Sequence, residues 1–296
     1  MPRIRRMSYD ALFRSIILPR ATYLFADFDR LNAWQQRVAA DYFRILSAAG
    51  MRCLNDPARV MTRFELLGAL HREGINPQAV YRADAFPRPA RFPVFVRYED
   101  HGRPVTPLLK DQAELDVALG EMRKQGIPLR GALVLEFCAR EYRPGLWNKW
   151  GAFRVGDRFS LDHISVEETW LVKYGTNSLM TEEILREEQE AALENRYVEQ
   201  LKPAFELAGI EYGRADFSIV DGKAVIYEIN TNPYKGKFVP DKKRLRCETE
   251  VFGRRRFAEA LAAVDTAERG YFRIQPSSLI KFRRGFWPGF LPHEQP

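Results

Sequence analysis

The chain has 296 residues, 46% of them hydrophobic and 29% charged, with a formal net charge of +7. That length supplies a substantial core and room for two or three subdomains, and the balance is that of an ordinary folded chain rather than a fibrous or disordered one. No apolar run reaches membrane-spanning length, and Cys53, Cys138 and Cys247 are too widely spaced for a zinc motif or a disulfide framework.

The first twenty residues, MPRIRRMSYDALFRSIILPR, are basic. Their apolar stretch is interrupted by Arg14 and stopped by Pro19-Arg20, so it lacks a signal-peptide core, and a cytoplasmic location is expected. Residues 21–26 (ATYLFA) read as a buried strand, 31–49 as a helix closed by Gly50, and 51–54 as a second short strand. This strand–helix–strand start implies a small α/β domain. A helix over 63–73 follows, closed by Gly74, and the prolines of 85–91 mark a boundary. Residues 92–98 (FPVFVRY) read as a strand, 111–126 as a helix and 131–138 (GALVLEFC) as a buried strand in which Cys138 is a small buried side chain.

Residues 150–160 read as a hairpin turning at Gly156-Asp157, and 181–209 as a long helical region divided at Pro203. A final helix spans 248–267, and the tail after it carries aromatics and prolines. Basic residues cluster at 242–246, 254–256 and 281–284, but no recognition-helix, zinc-finger or RNP pattern accompanies them. Nucleic acid is therefore not the expected partner.

The most informative stretch is RADFSIVDGKAVIYEINTNP, residues 214–233. It reads as two strands joined at Asp221-Gly222. Glu228 and Asn230 are two apart and share a face. With a three-residue loop, 221–223, Asp216 falls opposite Glu228 on that face; a two-residue loop puts them on opposite faces. Two carboxylates and a carboxamide so crowded repel one another unless a cation lies between them. Hard oxygen donors favour Mg²⁺, or Mn²⁺ in its place, with phosphate oxygens and water completing the shell.

Arg-x-Asp followed by Glu-Ile-Asn-Thr-Asn-Pro resembles the metal-binding end of the ATP-grasp superfamily. The resemblance extends over about residues 21–267 and implies an α+β ATP-grasp fold. On that reading residues 1–20 are a basic N-terminal segment and 21–85 a small N-terminal α/β domain. Residues 86–138 and 139–270 are two α+β subdomains clamping ATP, and 271–296 form the tail. The resemblance assigns the metal to Asp216, Glu228 and Asn230. Arg97, on the strand where the family has a phosphate-contacting lysine, and Arg63 are assigned to ATP. Backbone groups around Glu136 and Phe137 are assigned to the adenine edge and Glu141 to the ribose. Arg154 and Arg214 are assigned to the transferred phosphoryl group. Lys173, Lys235 and Lys237 are candidates for an acidic small-molecule or peptide substrate, while Lys149 and His163 are read as peripheral.

The segment 99–107 departs from the family pattern, having one glycine and two prolines where a glycine-rich phosphate loop is expected. The implied activity is an ATP- and Mg²⁺-dependent ligase joining a carboxylate to an amine or similar nucleophile through an acylphosphate. A phosphotransferase of the same fold and a nucleotide-binding module without turnover are the alternatives.

Overall fold

The computed structural model describes residues 4–100, 102–233, 235, 243–266 and 268–274. Residues 8–19 of the basic first segment form a helix and a strand. Ser8 accepts from the Ala11 N–H and starts α1 (Tyr9–Arg14), and β1 (Ile17–Pro19) follows. β1 pairs antiparallel with residues 271–273, so the segment and the start of the tail form one two-stranded sheet.

β2 (Tyr23–Leu24), α2 (Ala33–Ala48) and β3 (Cys53–Leu54) make the expected strand–helix–strand unit, with the two strands parallel. Asn32 and Gln35 form a capping box at the start of α2, and Val38, Ala39, Tyr42 and Leu46 are its buried stripe. α3 (Arg63–Arg72) starts from a second capping box, Thr62 with Glu65, which makes Arg63 its first helical residue.

β4 (Val80–Arg82), β5 (Val94–Tyr98) and β6 (Ala132–Glu136) form an antiparallel sheet in the order β4-β6-β5, with α4 (Gln112–Lys124) between β5 and β6 in the chain. β6 is central and buried throughout, as its uninterrupted apolar run requires. β4 was not anticipated; three residues are too few to show an alternating pattern.

β7 (Trp147–Val155) and β8 (Arg158–Glu167) turn at Gly156-Asp157 as expected. The chain between them and the next hairpin forms α5 (Glu182–Glu194) and α6 (Val198–Leu207). The break lies at Asn195–Tyr197 rather than at Pro203, which sits inside α6. Asn195 and Tyr197 are both left-handed, with φ of 55° and 70°. The Asn195 side chain leaves the helix to bond the outer edge of β8, accepting from Leu161 N at 2.8 Å and donating to Phe159 O at 3.0 Å. Edge-strand polar groups need such partners, and that need sets the break.

β9 (Tyr212–Val220) and β10 (Lys223–Asn230) complete a four-stranded antiparallel sheet in the order β10-β9-β7-β8. The turn between them has two residues, not three: Val220 pairs with Lys223, and Asp221 and Gly222 have φ of 50° and 77°. Two positive φ values match the right-handed twist of a tight hairpin. The carboxylates still face each other because a β-bulge at Tyr227 shifts the register, so that Phe217 pairs with Ile226 but Asp216 pairs with Glu228.

α7 (Arg244–Val264) begins four residues before the expected start, and β11 (Tyr271–Arg273) is the strand paired with β1. Trp150, Ala152 and Phe217 join Leu201 and Phe205 of α6 in the main core. Val155 meets Ala260, Leu261 and Val264 of α7, and Phe153 packs on Phe257. This alternation along β7 gives the sheet two occupied faces. Among the described residues no helix is long and apolar enough to cross a membrane.

Candidate functional site

One cleft runs between the three-stranded and the four-stranded sheets. Its lining includes Phe95, Phe137, Trp147 and Trp170 at one end and Arg97, Lys149, Asp216 and Glu228 at the other. The aromatic end is a contiguous box. Trp170 lies 5.1 Å from Phe95 and 5.5 Å, edge-on, from Phe137, which is 5.7 Å from Trp147. Such rings present apolar faces to a planar group.

The charged end is built on a row across the four-stranded sheet. Glu228 on β10 pairs with Asp216 on β9, and Asp216 pairs with Gly151 on β7. A second bulge then sets Asp162 and His163 of β8 opposite Gly151. Arg214 fills the space above Gly151, where a Cβ would collide with its guanidinium. From there it bonds Asp216 on one side and Asp162, at 3.3 Å, on the other.

Cations surround both carboxylates. Lys149 Nζ lies 2.8 Å from Asp216 Oδ2. Arg63, with its side chain 7% exposed, bonds Glu228, and Arg97 Nη2 is 4.0 Å from the same oxygen. Burial, with the neighbouring Arg63 charge, brings the Arg97 pKa down to about 10, and it remains a cation at neutral pH. Arg63 Nε is buried without a partner among the described residues. In place of a glycine-rich loop, the 99–107 segment turns carbonyls inward: Asp100 O accepts from Arg63 at 3.0 Å and Gly102 O from Arg97 at 3.4 Å. His101 lies outside the described residues.

The donor set fits Mg²⁺. Two carboxylates are direct cross-strand neighbours, and Mg²⁺ takes few protein ligands when phosphate oxygens complete its shell. Asn230 follows on the same strand, its Oδ1 accepting from Asn232 N at 2.7 Å and keeping a second lone pair. Among the described residues no cluster of three His, Cys, Asp or Glu side chains could hold a metal, so a closed zinc-type centre is not formed there.

Several assigned residues are engaged elsewhere. The Glu136 carboxylate clamps the 79–91 segment. It accepts from Ala79 N, Tyr81 Oη, Ala90 N, Arg91 N and Arg91 Nε, all at 2.9–3.1 Å. Burial alone would raise its pKa, but these donors and the Arg91 charge hold it below the usual range. The Glu136 and Phe137 N–H groups already donate to Ala79 O and Pro93 O, so Phe137 contributes its ring to the cleft rather than an amide donor. Glu141 is exposed, lies off the lining and accepts from Gly145 N. Arg154 is turned away from the row and donates to Gly156 O and Ile210 O. Its neighbours Gly151 and Phe153 alternate with it along the strand, which puts Arg154 on the other face.

Lys235 is 14% exposed, bonds Asp162 at 2.6 Å and lies 4.6 Å from the Phe153 ring centroid; it is part of the buried network. Lys173 ends the loop that carries Trp170, its ammonium over the Tyr174 ring. Lys237 lies outside the described residues. Lys149, read as peripheral, is in the site. Asp162, Trp147 and Trp170 were not singled out from the sequence. Gly151 inside a strand was the available signal, since such a glycine marks a close approach.

No family model matches the chain, and no curated protein matches its sequence. Among solved structures it is similar to the L-amino acid ligase from Bacillus licheniformis, at 13% identity and a TM-score of 0.41 over 66% of this chain and 47% of that one. The chain therefore spans about half the length of that ligase. It is similar to the D-alanine–D-alanine ligase from Bacillus anthracis, at 14% identity and a TM-score of 0.41 over 77% of each chain. It is also similar to the ATP-grasp ligase PsnB complexed with minimal precursor, Mg and ADP, at 13% identity and a TM-score of 0.44 over 78% of this chain and 68% of that one.

Proposed function

We propose that this chain is an ATP-grasp enzyme that uses ATP and Mg²⁺ to activate a substrate carboxylate for attack by an amine or similar nucleophile. The observation that carries the reading is the continuity of one cleft from an aromatic box to a carboxylate pair ringed by cations. A nucleotide has that polarity: an apolar base at one end and a polyanion at the other. Asp216 and Glu228, with Asn230 beside them, would hold Mg²⁺, which would neutralise charge on the phosphate oxygens.

The chain's own residues bind and orient. Phe95, Phe137, Trp147 and Trp170 enclose the base. Arg63, Arg97 and Lys149 offer donors to phosphate oxygens, and Arg214 stabilises charge on the moving phosphoryl group. A substrate carboxylate oxygen bonds to the γ-phosphorus as the bond to the β-phosphate oxygen breaks, releasing ADP. The nucleophile then attacks the acyl carbon, phosphate leaves, and the amine loses a proton. Positioning and electrostatics suffice, with no side-chain nucleophile required.

The 99–107 segment favours a second reading, a nucleotide-binding module without turnover, because its Asp100 and Gly102 carbonyls occupy donors of Arg63 and Arg97 that a transferred phosphoryl group would need. Calorimetry with Mg²⁺ and the nonhydrolysable analogue AMPPNP, followed by ADP release across amino acids and short acidic peptides, separates the readings. Binding with acceptor-dependent ADP release supports the ligase. Binding without ADP release supports the module, and absence of binding removes both.

A further inference from the structure

The loop between β8 and α5 reaches from one sheet to the other. Its tip, Trp170-Leu171-Val172, lines the cleft, and Trp170 packs on Phe95 of β5. The tip has no strand of its own to hold it. Beside that ring packing, the neck holds it.

The neck is closed by one carboxylate oxygen. Glu167 Oε1, at the end of β8, accepts from Lys173 N at 3.0 Å, Tyr174 N at 2.9 Å and Gly175 N at 2.9 Å. Thr176 N then donates to Val166 O at 2.8 Å. Gly175 has φ of 79° and lies so close to the Ser165 and Val166 backbone that a Cβ would be within 3.2–3.3 Å of it. The two ends of the loop are thus drawn together over a few ångströms, as in a compact surface loop whose ends meet. Burial alone would raise the Glu167 pKa, but the three N–H donors and the Lys149 charge hold it below the usual range.

We infer that Glu167 is a positioning residue for the nucleotide: its carboxylate closes the neck of residues 168–175 and so holds Trp170 as a wall of the base-binding end of the cleft. The inference rests on the nucleotide reading above. It assigns affinity to a residue outside the cleft lining, acting through Trp170. A loop released at the neck gains conformational freedom that binding must then remove, which weakens affinity without removing a ligand contact.

The test compares wild type, Glu167→Ala, Glu167→Gln, Trp170→Ala and the Glu167→Ala/Trp170→Ala double variant. Calorimetry gives affinity for AMPPNP with Mg²⁺, hydrogen exchange follows the Lys173, Tyr174 and Gly175 amides, and thermal melting checks the fold. Glu167→Ala is expected to lose protection at those amides and to bind about tenfold more weakly. Glu167→Gln keeps an acceptor oxygen in place, so protection and affinity stay close to wild type. The double variant is expected to bind no more weakly than Trp170→Ala alone, because both changes act on one contact. Wild-type affinity in a folded Glu167→Ala variant overturns this inference alone. So do additive losses in the double variant. Absence of nucleotide binding by the wild type overturns the nucleotide reading and this inference with it.

Discussion

Arg214 lies across the backbone of Gly151, in the volume where any other residue would carry its side chain. The arginine reaches both Asp216 and Asp162 because that volume is empty. Gly151→Ala should therefore displace the guanidinium from at least one carboxylate. The expected stability cost is about 1–3 kcal/mol, the usual range for overpacking. ADP release should fall by about a hundredfold or more, comparable to removing one preorganised donor to a transition-state oxygen. Urea unfolding and a turnover assay on the same preparation check both. A variant with wild-type turnover would show that Arg214 does not act from this position.

Glu228 anchors Arg63, whose side chain is almost fully buried. Glu228→Ala leaves that guanidinium without its carboxylate partner, and breaking a buried pair from one side costs about 3 kcal/mol or more. Glu228→Gln keeps an acceptor and should cost less. Both should abolish the Mg²⁺ dependence of nucleotide affinity, read by calorimetry with and without a chelator. Affinity that still rises with Mg²⁺ in Glu228→Gln would remove Glu228 from the metal site.

The carboxylate pair shows how far sequence reasoning reached and where it stopped. Residue types and spacing in the 214–233 stretch named Asp216 and Glu228, because period-two alternation is local information. Their alignment was expected from a three-residue turn, whereas the structure has a two-residue turn and a bulge at Tyr227. The two routes give the same pairing by different register changes, and a single sequence does not show where an extra residue is accommodated. Where the Glu136 carboxylate goes was not legible either. A carboxylate in an apolar strand needs partners, but whether a ligand or the chain's own loop supplies them depends on tertiary contacts. Lys149 and Asp162 enter the site only because β7 lies beside β9 and β8 lies beside β7, and strand order is a long-range property.

The bulge itself can be tested apart from the turn. Gly222, at φ 77°, has open space where a Cβ would go, so Gly222→Ala is strained by conformation and not by collision. It should cost about 1 kcal/mol. Nucleotide affinity should be unchanged, because the pairing of Asp216 with Glu228 is set beyond Tyr227. Loss of affinity at unchanged stability would show that the turn, not the bulge, sets the register.

Acid stability follows from the buried carboxylates. Glu136, Asp162 and Glu167 all have pKa values held below their ordinary range. For Asp162, burial opposes ionisation, but His163, Lys235 and Arg214 outweigh it. A group whose folded pKa is depressed contributes stability that is complete above its unfolded pKa and is lost as pH falls through the folded value. Glu188 has the opposite sign: burial raises its pKa despite the nearby Arg246 and His163 charges, so its protonation eases as pH falls and offsets part of the loss. Depressed acids outnumber the raised one, which predicts a urea midpoint that holds from pH 7 to the upper edge of the carboxylate range and then declines steadily. Asp162→Asn should lower the midpoint at pH 7, because it breaks a buried ion network at a cost of about 3 kcal/mol, and should flatten the decline below that range. A variant that keeps the wild-type slope would show that Asp162 does not hold its charge in the folded state.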